Sequence, residues 1–488
     1  MVKIMKNYSI WSEELKNNYQ ELNTDLDIDV LIIGGGMTGI NTAYQLINSN
    51  LKVCLVEKNI IGSGVTSRTT GKLTYLQENI YSKLKLYHDE IISRLYLDSQ
   101  IEAINLAKDI IDKEHIECNL EKASSYVINN NDKKFNEEKE LLNKFNIKLK
   151  TSNILPNKEK VTNSYSVDDT YVFHPIKYLN KLAKIITNNN INIFEHTKII
   201  SINKKDNYYI CKTNNNTIKT KYIVLAIHYP YFLYPFFTPL KTWIEKSYIG
   251  CYKVKKNYLY SSITITKPTI STRYITDNSN NYKIYLSNSH NLCIKNDEIK
   301  EFNQLFSSNK EKEEYAWSNK DIMTTDSLPF IGSINNANTL LIGTGYNTWG
   351  MTNSILAGKI LADIILKRNN KYIKLFNPKR EVNLGKIINT PLIIGSNIYS
   401  FTKSKIAKQK SWYPSNIKFE KRNGKNIAIY IDEDKKEHIV YNLCPHLKCS
   451  LIFNEIEKTW DCPCHGSRFD VDGICIEGPS NYNITYKE

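Results

Sequence analysis

Nothing in these 488 residues stays apolar long enough to cross a membrane, since the longest hydrophobic stretches fall well short of the roughly 20 residues a helical span needs. The opening MVKIMKNYSIWSEELKNN lacks an apolar core and a twin arginine, so no export leader is expected and a cytoplasmic location is. No internal repeat is visible, and the asparagine runs at 188–190 and 213–216 read as turns. Arg-rich helices and aromatic-basic stripes are also missing. That weighs against nucleic acid despite a net charge of +15, because Lys, Asn, Ile and Tyr are abundant everywhere, as an AT-rich genome would make them. Residues 417–488 hold ten Lys and Arg against twelve Asp and Glu, which leaves the positive excess upstream, suited to an acidic redox partner. Cysteine is sparse before the C-terminus: Cys54, Cys118, Cys211, Cys251 and Cys293 have no motif spacing and read as reduced, partly buried thiols.

The later cysteines are patterned. Cys444-Pro-His446 and Cys462-Pro-Cys464-His465 each supply a Cys and a His, with fifteen residues between His446 and Cys462. A 2Fe-2S cluster with two thiolates on one iron and two imidazoles on the other needs that provision from two loops. A structural zinc site is the alternative. Its paired ligands usually stand about two to four residues apart, whereas one residue separates Cys444 from His446, and six Cys/His candidates exceed the needs of one tetrahedral ion.

The segments CPHLKC at 444–449, CPCHGSRFD at 462–470 and Gly478-Pro479-Ser480 resemble the Rieske proteins of quinol-oxidising respiratory complexes. The resemblance makes Cys444, His446, Cys462 and His465 the cluster ligands, Cys449 and Cys464 a disulfide pair, and Gly478-Pro479 part of the loop over the cluster. High-potential members place a Ser and a Tyr after the second His, whose hydroxyls donate to cluster sulfur. This chain keeps Ser467 but has Phe469, so a lower potential is expected. Lys448 stands where that family usually has Gly, a change expected to alter the loop's backbone.

At the other end, Asp29-Val-Leu-Ile-Ile-Gly34 reads as a buried strand, and Gly34-Gly-Gly36-Met-Thr-Gly39 opens an amphipathic helix through Ile40, Ala43, Tyr44 and Leu46. This is the dinucleotide fingerprint: glycines for the tight turn, for backbone approach to pyrophosphate and for helix-on-strand packing, with the helix N-terminus facing the phosphates. A second strand, Lys52-Val-Cys-Leu-Val-Glu57, ends in the acid a ribose hydroxyl needs. NAD and FAD share these features, and later segments favour FAD. Lys221 to Ala226 reads as a strand ending at His228, and Thr339 to Gly343 as another that runs into Thr344-Gly345-Tyr-Asn-Thr-Trp-Gly350 before a helix from Met351 to Leu366. A helix starting there would aim its positive end at the flavin pyrimidine, although an ordinary strand-to-helix connection would look similar.

Taken together, DVLIIGGGMTGI, GSGVTSRTTGKLT at 62–74, VFHPIKYL at 172–179, FEHTKIISI at 194–202, LAIHYP at 225–230, DSLPFIG and GTGYNTWGMTNSILAG resemble the D-amino acid oxidase and glycine oxidase family of flavoproteins, including Rieske-fused relatives. The resemblance places Gly34, Gly36, Gly39 and Glu57 at the ADP half of FAD. It places Thr66, Ser67, Thr70 and Gly71 against the flavin side, Ile199 at the adenine, and Gly345, Trp349, Gly350 and Met351 at the pyrimidine end. It implies an α/β FAD-binding domain, Rossmann-like and of glutathione-reductase type, with an α+β substrate domain and a C-terminal all-β Rieske domain. The boundaries expected are an N-terminal extension at 1–26, the oxidoreductase at 27–380, a connector at 381–410 and the Rieske domain at 411–488. Within the oxidoreductase, the FAD domain takes 27–87, 150–235 and 322–370. The substrate domain takes 88–149 and 236–321. Helical stripes at 88–146 (Leu97, Ile101, Ile104, Ile111; Leu141, Leu142, Phe145) read as core, and 240–290 as strands.

Fusion of a two-electron flavin to a one-electron cluster suggests an oxidoreductase acting on an amine or related small organic substrate. Electrons would pass through the cluster to an external protein or quinone-like acceptor, with the tether keeping the local concentration of the relay high. No second GxGxxG is present for a pyridine nucleotide. The alternatives are reverse flow from a reduced partner to FAD, and a redox-sensing protein without turnover. Amino-acid oxidases of this family carry an Arg for the substrate carboxylate four residues after a Trp. Counting from Trp317 towards Asp326-Ser-Leu-Pro329, that position is Asp321, so the bidentate grip on a carboxylate is lost. Arg273 is a weak substitute that also reads as a paired strand residue. His174 and His228 follow strand-like segments and read as structural, so no acid-base residue is assigned.

Overall fold

A computed structural model describes residues 6, 8–129, 132–229, 241–265, 269–292, 298–307, 313–381, 415–446, 448–464, 466–480 and 482–487. The expected connector, apart from residue 381, lies outside these residues, as do Cys293 and the expected ligand His465.

Leu26–Ile33, Val53–Val56 and Leu340–Thr344 are aliphatic runs whose paired stretches are buried on both faces, as strands inside a parallel sheet must be. With Thr217–Leu225 and Asn192–Phe194 they form the parallel centre of an eight-stranded sheet that carries antiparallel strands outside it. Alternation splits its core. Val30 and Ile32 pack with the helices Met37–Gln45, Pro175–Asn188 and Gly350–Ile365, while Leu31 and Ile33 pack with Leu22, Ile199 and Ile342.

The second sheet runs Glu313–Thr324, Thr242–Val254, Asn280–Asn291, Ser271–Asp277, Tyr260–Thr264, Ser124–Ile128, Lys160–Val167, Lys150–Ile154. This differs from the boundaries expected above. Helices Glu90–Lys113 and Asp132–Lys144 lie where the apolar stripes placed them, but Ser124–Ile128 intervenes, and the strands of 150–167 join this second sheet rather than the first. Segments such as SSYVI and KVTNSYSV bury hydroxyls as well as aliphatics, so hydrophobic periodicity does not mark them.

Thr242–Val254 and Glu313–Thr324 pair antiparallel with Glu245 opposite Asp321, Lys246 opposite Lys320 and Ser247 opposite Asn319. A strand's period of two therefore puts Glu245, Ser247, Asn319 and Asp321 on one face of this ribbon and Lys246, Tyr248, Ser318 and Lys320 on the other. The C-terminal module has a three-stranded sheet starting at Ile417 and a four-stranded sheet ending at Glu477. Its core joins Val440, Trp460 and Phe469 to Cys444, Cys449, Cys462 and Cys464. Among the described residues no helix is long and apolar enough to cross a membrane.

Candidate active site and cluster loops

A slot of about 220 Å³ opens at the first strand-helix turn, and Gly34, Gly36, Glu57, Thr66, Ile199, Gly350 and Met351 all line it. A Cβ at Gly34 would collide with the Ala226 carbonyl oxygen, and one at Gly39 with the Gly34 carbonyl oxygen, so both glycines are required by the protein's own backbone. Gly36 differs. The nearest atom to a Cβ there is Thr66 Oγ1 at 3.3 Å, which leaves the space above Gly36 for a ligand. Gly36 also caps the helix Met37–Gln45 without a side-chain acceptor of its own; Met37 N–H donates to Thr66 Oγ1 at 3.3 Å, and the amides that follow it face an anion site at the helix N-terminus. Glu57 accepts the Gly35 N–H at 2.8 Å on one carboxylate oxygen and the Asn59 N–H at 2.9 Å on the other. Each oxygen keeps a lone pair for a ribose hydroxyl. This donor and acceptor set fits an adenine dinucleotide.

A second cavity, of about 90 Å³, adjoins the slot, since Val65, Asp321, Gly350 and Met351 line both. Thr70 and Trp349 line this cavity rather than the slot, and Gly39, Ser67, Gly71 and Gly345 line neither. Ser67 Oγ donates to the Gly64 carbonyl at 2.9 Å and closes the turn before Thr70. Arg273 does not reach the cavity. Its Nη1 donates to the carbonyls of Thr70 and Gly71 at 2.7 Å and of Phe173 at 2.9 Å, and its guanidinium lies 5.2 Å from the Trp11 ring, so it fastens the loop at Thr70 and Gly71 to the second sheet. Asp321 lies at the junction of the two cavities. Burial, and then Glu245 opposite it, push its carboxyl up to about 7.

Both histidines are held neutral, His174 buried and His228 half-buried. His174 caps the helix Pro175–Asn188, accepting the Lys177 N–H at 3.3 Å, and burial brings it down to about 3. His228 lines the slot with Nε2 2.9 Å from the Lys320 carbonyl, and burial brings it down to about 4.

Sequence reasoning missed that the C-terminal module helps to wall the slot, through Ile476, Glu477, Gly478 and Ser480. No local signal announces such a contact. It rests on the second face of the ribbon. Lys320 Nζ donates to the Gly466 carbonyl at 2.7 Å, and Lys246 Nζ lies 3.2 Å from Asp461. Arg468 holds Glu457 with two parallel bonds of 3.0 and 2.8 Å and donates to Ser318 Oγ at 2.7 Å, while Arg68 reaches the same Glu457 at 2.8 Å. Burial alone would raise the Glu457 carboxyl, but Arg468 and Arg68 hold it down at about 2. Part of the upstream positive excess is thus matched within the chain itself.

In the module, Cys449 and Cys464 are joined by a disulfide. The sulfur of Cys462 lies within 4.8 Å of theirs, and Cys444 is buried in the same core. The turns at Cys444 and Cys462 close through Lys448 N–H to the Cys444 carbonyl at 2.9 Å and Gly466 N–H to the Cys462 carbonyl at 3.0 Å. Burial lowers the His446 pKa, favouring the neutral imidazole that ligates metal. Two buried thiols outside the disulfide, one in each loop, and the His446 imidazole in the first loop fit three of the four ligands such a cluster takes. Lys448 takes φ +58°, so its loop keeps a left-handed backbone without glycine. Ser467 Oγ accepts the Ser480 N–H at 2.8 Å, which leaves its own proton for another acceptor, and Phe469 is fully buried.

The family described as FAD dependent oxidoreductase matches residues 29–364, and the Rieske [2Fe-2S] domain matches 403–486. The chain is 30% identical over 482 residues to YhfW of Bacillus subtilis, which carries the name of a Rieske 2Fe-2S iron-sulfur protein; the match covers 95% of this chain and 94% of that one. Among solved structures, L-proline dehydrogenase from P. horikoshii is similar with a TM-score of 0.60 at 18% identity, covering 73% of this chain and 98% of that one. Glycine oxidase from Geobacillus kaustophilus gives 0.59 at 14% identity, covering 73% and 100%. At these identities the structures establish the shared fold.

Proposed function

Because the chain belongs to the FAD-dependent oxidoreductase family and carries a Rieske [2Fe-2S] domain, we propose that it oxidises a small amine or related C–N substrate and passes the electrons through the cluster to an external protein or quinone-like acceptor. A cytoplasmic location goes with that reading. The observation that carries it is the shared wall of the slot, which Ile476, Glu477, Gly478 and Ser480 of the cluster module line together with Gly34, Gly36 and Glu57. When bound, FAD supplies a two-electron acceptor for a C–H bond beside nitrogen, and the cluster supplies a one-electron carrier.

The chain's own residues do the rest. Glu57 and the amides after Gly36 bind and orient the dinucleotide. Thr348, held at φ +70°, turns the backbone so that the helix Gly350–Ile365 begins where both cavities meet. The docked module closes one side of the slot against water, and Lys320 fixes the loop next to the expected ligand His465. Anaerobic mixing with a series of amines, read at the flavin and cluster absorption bands, tests the reading. A substrate should bleach the flavin first and the cluster second. If no amine bleaches either band, the reading fails; if a reduced protein partner fills the cluster before the flavin, the flow runs the other way.

A further inference from the structure

The cavity face of the ribbon is rich in acceptors. Glu245 and Asp321 stand directly opposite one another, and among the described residues neither carboxylate has a cationic partner. Like charges in that position repel, so the arrangement suits a bound cation. Two further groups on this wall point the same way. Ser247 and Asn319 are each more than nine-tenths buried, and Ser247 Oγ and Asn319 Oδ1 have no hydrogen-bond partner. Asn319 turns its amide N–H to Asp321 Oδ2 at 2.9 Å, which directs its carbonyl oxygen elsewhere. Glu78 adds a third carboxylate to the lining. The two basic residues of the lining are engaged. Arg68 binds Glu457 and the Ser318 carbonyl, and Lys72 binds the Ser262 carbonyl at 2.9 Å and the Ser271 hydroxyl at 2.6 Å.

We propose that this face recognises the cationic nitrogen of a small aliphatic amine that carries no carboxylate beside that nitrogen. Asp321 and Glu245 flank the ammonium, and Ser247 and Asn319 accept its N–H groups. An anionic substituent on the neighbouring carbon would be brought against the same two carboxylates and be rejected. The cavity holds roughly six to nine water-sized volumes, the scale of a short alkylamine. The proposal deepens the amine-oxidation reading above and rests on it.

The test uses the full chain loaded with FAD. Butylamine, 1,4-diaminobutane, glycine and acetate are titrated in turn, and binding is read from the perturbation of the flavin absorption band. Both amines should perturb the band and bind at least tenfold tighter than glycine or acetate. Glu245→Gln should weaken butylamine at least tenfold at unchanged flavin content. If that variant fails to hold flavin, Ser247→Ala takes its place, with an expected weakening of threefold or more. No perturbation by either amine, equal binding of glycine or acetate, or an unchanged dissociation constant in the variant overturns the proposal. Amine binding that depends on Glu245 but never bleaches the flavin leaves the site standing and removes the oxidation reading. Bleaching by an amine whose binding ignores Glu245 does the reverse.

Discussion

Replacing Lys320 by methionine should undock the cluster module without unfolding either part. The side chain is 1% exposed, its Nζ donates to the Gly466 carbonyl at 2.7 Å, and it lies 3.8 Å from Glu477 and 3.9 Å from Asp461. Methionine keeps most of the stem's volume and removes the cation. The Gly466 carbonyl then loses its donor, and Glu477 retains Arg468 at 4.0 Å, while Asp461 keeps both Arg468 and Lys246 at 3.2 Å. A hydrogen bond from a charged donor contributes about 1.5–3 kcal/mol, and breaking a buried pair costs about 3–5 kcal/mol. Relief of the lysine's own burial, which pushes its pKa down, offsets part of this. A net loss near 3 kcal/mol is expected, or roughly a hundredfold more of the undocked form. Hydrogen exchange of the full chain with both cofactors reads this at Gly466 and at 476–480, where protection should fall while Leu26–Ile33 stays protected. Lys320→Arg should retain part of the protection. Unchanged exchange at Gly466 and 476–480, with flavin-to-cluster electron transfer also unchanged, would refute the docking role.

Gly36→Val should yield a folded protein without flavin, whereas Gly39→Ala should lower the melting temperature itself; flavin content and thermal unfolding measured on both separate the two roles. Cys444→Ser should abolish the Rieske electron-resonance signal while FAD stays bound, and a persisting signal would sink the ligand assignment. Lys448→Gly should stabilise the module by about 1 kcal/mol, because φ +58° then carries no Cβ penalty; chemical denaturation checks it. His174 has its pKa lowered by burial to about 3 against an unfolded value near 6.5. Its contribution is therefore complete above pH 6.5 and lost as pH falls towards 3, up to about 5 kcal/mol. His174→Asn, which keeps a capping acceptor, should lose less melting temperature between pH 7 and 4 than the parent chain.

Local chemistry made the two ends of the chain readable. Backbone turns that demand glycine, an acid at a strand end and Cys/His spacing are set within a few residues, so Gly34, Glu57 and the cluster loops could be read directly. Arg273 was not legible because its partners, Thr70, Gly71 and Phe173, are carbonyls far away in sequence. Asp321 stood out as an acid where a guanidinium was expected, yet its neighbour Glu245 belongs to another strand whose register no single segment reveals. The strands at 150–167 fall within the range expected for the FAD domain yet join the second sheet, and their buried hydroxyls blur the apolar period that would have marked them. The docking of the cluster module is the extreme case, since it joins residues more than a hundred positions apart through Lys246, Lys320 and Arg68.

The ribbon of 242–254 and 313–324 separates two duties by parity. Point substitutions at odd positions such as Ser247 or Asn319 can retune which molecule is accepted and leave the even positions that seat the cluster module untouched. The same parity forbids something else. A single inserted or deleted residue in either strand would exchange the two faces beyond it, turning lysines into the cavity and carboxylates towards Asp461. Length in this ribbon should be under far stricter constraint than identity.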